Sequence, residues 1–207
     1  MVLATAVSCD SGAVDASTSF AAEVTPPAEI AATVLNAVLE GDTEAAADWT
    51  LLDQMPWIAM AEGASIQQAV GLIEEGSRHV AINYWKGFSE GTGLPDLAVG
   101  AVQESEVGAH SFASVMVGSA RRLRIVLRME DRWLVDVVAS FGSTLAERLR
   151  DAIDIIAANR GPDADRLAEL ISQQRDSISV ALESSNLNES ARKSLEELGA
   201  AIDVLGS

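Results

Sequence analysis

The chain has 207 residues, 48% of them hydrophobic but only 4% aromatic, and a formal net charge of −17. A uniformly acidic surface repels phosphate backbones and anionic headgroups, which argues against nucleic-acid binding and against direct adsorption to a membrane. No apolar run approaches the roughly 18 residues that span a bilayer, and the lone cysteine, Cys9, excludes an internal disulfide and a paired-thiol metal site.

Residues 1–25 turn small and polar after Cys9 and carry neither a helical nor a strand period. They offer too little apolar surface to fold and read as a disordered tether. Pro26 and Pro27 then open a helix, with Thr25 as the expected N-cap. Ile30, Val34, Leu35 and Val38 form its apolar stripe. Gly41 ends it, and Asp42 caps an alanine-rich second helix. A third helix is expected over residues 65–85, and the glycine-rich 91–96 segment is a loop.

Strands follow. Residues 97–107 and 111–117 are β-rich. Leu123, Ile125, Leu127 and Met129 alternate with arginines, and Glu130-Asp131 makes a tight turn. Trp133, Val135, Val137 and Phe141 then predict a second arm continuing to Phe141. From residue 143 the period is helical again, with Thr144 and Glu147 at capping-box spacing. Leu145, Leu149, Ile153 and Ile156 make one stripe, residues 167–182 a second, and Leu195, Leu198, Ile202 and Leu205 a last. Such stripes are expected to close on one another.

The order predicts an α+β fold: N-terminal helices on a curved, cone-like antiparallel sheet, followed by a C-terminal helical segment. The expected divisions are 1–25, 26–142 and 143–207. Val38-Leu39-Glu40-Gly41-Asp42 before an alanine-rich helix resembles the opening of the nuclear-transport-factor-two-like and cystatin-like families. Residues 125–136, with an acidic turn before Trp133-Leu134-Val135-Asp136, resemble their closing hairpin. The resemblance covers about 28–142 and departs at Arg132, where a turn glycine is usual. It implies a sheet curled around the first helix. In enzymes of that superfamily the cone is a pocket; in many exported bacterial members it is a filled scaffold.

Chemistry-bearing residues are sparse. His79 and His110 are the only histidines, and neither has metal-ligand spacing. Asp136, with Tyr84 or His110, forms the candidate pocket set for proton transfer on a carbonyl substrate; the structural alternative pairs Asp136 with Arg124 across the hairpin. Arg121, Arg122, Arg124, Arg128 and Arg132 read as an ion-pair lattice over the sheet. Ala6-Val7-Ser8-Cys9 resembles the end of a bacterial lipoprotein signal, which makes Cys9 the lipidation candidate, although the eight residues before it hold no basic region.

The reading is a non-enzymatic exported scaffold with a protein partner. It touches a membrane only through lipid on Cys9, sits at the outer face of the cell envelope, and needs no cofactor or metal. Two alternatives stand beside it: a small-molecule binder or isomerase- or cyclase-like protein with a polar cone, and a cytoplasmic helical interaction protein.

Overall fold

The computed structural model describes residues 24–91, 96–119, 122–159 and 161–206. Cys9 and the tether reading of residues 1–23 lie outside the described residues. The described chain is α+β, with helices before an open antiparallel sheet and a helical segment after it.

Helix α1 (Pro27–Glu40) starts from Pro26 rather than Thr25, because Pro27 at the first helical position holds the residue before it in extended backbone. Gly41, at φ +80°, ends the helix, and the Asp42 N–H reaches back to Ala37 O at 2.8 Å. The Asp42 carboxylate then accepts from Ala45 N at 3.0 Å and starts α2 (Thr43–Asp48). A 3₁₀ turn (Leu52–Gln54) leads into α3 (Met55–Ala61). The helix expected over 65–85 is two helices, α4 (Ile66–Glu75) and α5 (Arg78–Gly91). Gly76, at φ +93°, separates them, a conformation that a helix cannot contain.

The sheet runs β1 (Val99–Val107), β2 (His110–Val117), β3 (Leu123–Met129) and β4 (Trp133–Val135), in that spatial order. The pairings Val115↔Ile125 and Leu127↔Val135 align one apolar row. That row meets Ile30, Val34 and Leu35 of α1, and every side chain named here is at most 1% exposed. Full burial of each large aliphatic contributes roughly 1.5–3 kcal/mol, so the space between α1 and the sheet is packed, apolar core. Phe112 and Val126 face the other way, where they meet Ala139 and Val180. Beyond β4 the segment 49–51 adds two ladder bonds, Val135 N to Trp49 O at 2.7 Å and Leu51 N to Val135 O at 3.0 Å. β1 is the open edge, and Glu104 and Glu106 on it discourage strand addition.

The second hairpin arm is shorter than expected. β4 stops at Val135, and α6 (Val137–Ala158) begins immediately after Asp136. The Asp136 carboxylate accepts from Ala139 N at 2.7 Å, a side-chain cap that an extended strand cannot make. Val138, Leu145 and Leu149 then bury at helical spacing. Thr144, expected as a cap, instead donates to Phe141 O inside the helix. The division expected at 142/143 falls inside α6.

After α6 come α7 (Pro162–Ser172), α8 (Arg175–Leu182) and α9 (Glu189–Leu205). The stretch 167–182, expected as one helix, breaks at Gln173-Gln174 because Gln174 turns inward to polar partners described below. Leu149, Leu167, Ile171, Leu195 and Leu198 are fully enclosed, so the C-terminal stripes close within the chain. No described helix is long and apolar enough to cross a membrane.

Candidate functional site

Charged and amide side chains converge where the 3₁₀ turn, β3, the start of α6 and the start of α8 meet. Asp136 is at the centre, fully enclosed. Its Oδ1 accepts from Ala139 N at 2.7 Å and from Gln54 Nε2 at 2.7 Å. Its Oδ2 accepts from the Ser177 hydroxyl at 2.6 Å. Gln54 Oε1 accepts from Val138 N at 3.1 Å, and Gln54 Nε2 also lies 3.1 Å from Gln174 Oε1. Apart from the local Ala139 cap, each bond joins elements far apart in sequence: the turn after α2, the start of α6, and α8.

Arg128 extends the junction across β3. Only 3% of its side chain is exposed. Its guanidinium donates to Asp53 Oδ2 at 2.6 Å, Glu130 Oε1 at 2.7 Å and Gln174 Oε1 at 3.3 Å. Two of these partners are carboxylates, each partly exposed, so the buried guanidinium is paired and not left as a lone charge. Burial opposes the Arg128 charge, but Asp53, Asp136 and Glu130 outweigh it and hold the guanidinium above its ordinary pKa. Burial dominates at Asp136 and pushes its carboxyl up, against the pull of the Ala139 N–H, Ser177, Gln54 and Arg128. The second Asp53 oxygen, Oδ1, is enclosed without a hydrogen-bond partner among the described residues.

A cleft of about 340 Å³ adjoins the junction, edged by Asp53, His110, Arg128, Glu130 and Asp176. His110 Nδ1 lies 2.9 Å from Asp176 Oδ2, and the same oxygen accepts from Ala109 N at 3.2 Å. Asp176 thus clasps the β1–β2 turn to the start of α8. At Gly108, φ is +60°, and a Cβ there would lie 2.2 Å from the Asp176 carboxylate. Ser172 donates to Glu169 O within its own helix, so its hydroxyl is not presented to His110. The pair has the form of an oriented imidazole, but its visible partners are backbone and helix.

The candidate pocket set is not assembled in one place. His110 edges this cleft, and Asp136 is enclosed in the junction beside it. Tyr84 lines a separate recess on α3, α5 and α6, together with His79. The expected Asp136–Arg124 pair is not formed. Arg124 instead donates to Val180 O at 3.0 Å and to Ser114 Oγ at 2.8 Å, pinning α8 to the sheet. Arg132 donates to Asp48 O at 2.8 Å and covers the Trp49 ring at 4.8 Å. Gln54, Gln174 and Ser177 are junction residues that sequence reasoning passed over.

Among the described residues, no group of three or more histidine, cysteine, aspartate or glutamate side chains is placed to hold a metal ion. Comparison with protein-family models, curated proteins and solved structures finds no match to this chain.

Proposed function

We propose that the protein is a non-enzymatic scaffold, an interaction protein exported and held at the outer face of a bacterial membrane through lipid on Cys9. One observation carries the non-enzymatic part: Asp136, the carboxylate best suited to acid–base work, is sealed from solvent and accepts three hydrogen bonds, one capping its own helix and two tying it to Gln54 and Ser177 on other elements. A group enclosed in this way serves as a structural joint. The packed interface between α1 and the sheet supports the same reading, since in the nuclear-transport-factor-two-like resemblance a filled cone belongs to scaffolds and an open one to enzymes.

The anchoring part rests on Ala6-Val7-Ser8-Cys9 and the polar stretch after it. Attachment of lipid to a terminal cysteine would place the folded unit beside the membrane while its −17 charge keeps it off the anionic surface. The test is expression of the gene with its native upstream sequence in a bacterial host fed labelled palmitate. The expected result is label in the membrane fraction, lost in Cys9→Ser. An unlabelled protein in the cytosolic fraction would remove the anchored reading.

A further inference from the structure

Helices α3, α5 and α6 leave a solvent-open recess of about 650 Å³. No residue of α1 or of the sheet lines it, so it is not the space between α1 and the sheet. Its size falls within the roughly 300–1,000 Å³ of small-molecule sites. Ile58, Val80, Phe88 and Leu145 supply apolar walls. Behind Phe88 the rings of Tyr84, Trp85 and Phe141 form a continuous aromatic cluster, with centroid separations of 5.2 to 6.2 Å. Of these rings, Tyr84 and Phe88 line the recess and offer a flat ligand a stacking surface, while the buried Trp85 and Phe141 brace them.

The polar groups narrow the ligand class. Tyr84 lines the recess, and its hydroxyl makes no hydrogen bond among the described residues. A phenol is protonated at neutral pH, so it presents a donor. Arg148 and Glu62 stand at the same recess, joined in an ion pair. Their charges act on Tyr84 in opposite senses. An anionic ligand must compete with Glu62 for Arg148, and a cationic one meets Arg148 itself. A neutral acceptor disturbs neither.

We propose that this recess binds a neutral, largely apolar aromatic molecule whose single carbonyl oxygen accepts a hydrogen bond from Tyr84. The site shares no residue with the Asp136 junction, so its failure would leave the scaffold reading untouched.

The probe is prodan, a neutral naphthyl ketone whose emission shifts to the blue in apolar surroundings, titrated into the full-length protein. Two variants report on the site. Gly87→Leu fills the recess from a helical position where an added Cβ meets no atom within 4 Å; it is expected to abolish the shift while the fold is retained. Tyr84→Phe removes only the hydroxyl and is expected to weaken binding about three- to tenfold, the worth of one neutral hydrogen bond. Acetylnaphthalene should displace the probe and naphthoate should not. Absence of a shift in the parent, or an equal shift in Gly87→Leu, would overturn the site. An unchanged affinity in Tyr84→Phe, or naphthoate competing as well as the ketone, would overturn the ligand class.

Discussion

Replacing Asp136 with alanine should destabilise the fold by about 3 kcal/mol, even though the residue touches no solvent. The first loss is the cap of α6, where the carboxylate accepts from Ala139 N; removing such a cap costs about 1 kcal/mol. The second is the Ser177 hydroxyl, whose 2.6 Å acceptor disappears; a buried donor left unpaired costs about 1–3 kcal/mol. Gln54 loses its shortest bond but keeps Gln174, and Arg128 keeps Asp53 and Glu130, so those groups add less. Asp136→Asn retains the cap and the shape, and should cost about 1 kcal/mol or less. The two variants also differ from the parent in pH dependence. Burial raises the folded-state pKa of Asp136 above its ordinary value of 3.8. The folded state therefore holds its proton longer than the unfolded chain does, and the contribution is fully present below that ordinary value and lost as pH rises through the raised one. Asp136→Asn should flatten that decline. Urea unfolding followed by tryptophan fluorescence, at several acidic to neutral pH values, measures all three. If Asp136→Ala unfolds within about 0.5 kcal/mol of the parent, the junction is not what holds α6 and α8 to the sheet.

Other outcomes follow from named contacts. Trp133, 7% exposed and paired with Met129, belongs to the α1-facing row; Trp133→Ala should cost about 3 kcal/mol, and a melting temperature within a degree or two of the parent would show the register to be wrong. Gly108→Ala meets both a positive φ and the Asp176 carboxylate, so it should destabilise the β1–β2 turn and sharpen amide exchange there, whereas unchanged exchange would contradict the clasp. Tyr84 is the sole tyrosine, and burial lifts its pKa well above the ordinary 10.0. The native protein should therefore show no phenolate absorbance as pH passes that value, and stability should fall above it because only the unfolded chain releases the proton. Tyr84→Phe should remove that fall.

The helix and strand order was legible because its signals are local. Gly41-Asp42 marks a helix end and a new cap, and the alternation from Leu123 to Met129 marks a strand. The sequence misled at Asp136, where two periods overlap. Trp133, Val135 and Val137 continue a strand alternation, while Val138, Leu145 and Leu149 already follow a helical one. An aspartate three residues before Ala139 was the available sign of a cap. Gln54, Gln174 and Ser177 could not be found this way. Polar residues inside apolar stretches read as turns or solvated positions until the long-range fold brings them within 3.1 Å or so of one another. Tyr84, His110 and Asp136 each sit in or beside a cavity or junction, but different elements place them, α5, the start of β2 and the turn from β4 into α6, and spacing along one chain carries no such information.

The polar junction around Asp136 and Arg128 should make the sheet and the C-terminal helices one cooperative unit. Native-state hydrogen exchange on the full chain tests this most directly. The amides of α8 and of the first turns of α6 should exchange only through the same opening as those of β3, with matching free energies and matching dependence on denaturant. An α8 that opens by itself, at a distinctly lower free energy and while β3 stays protected, would contradict the claim that Asp136 and Arg128 lock it in place.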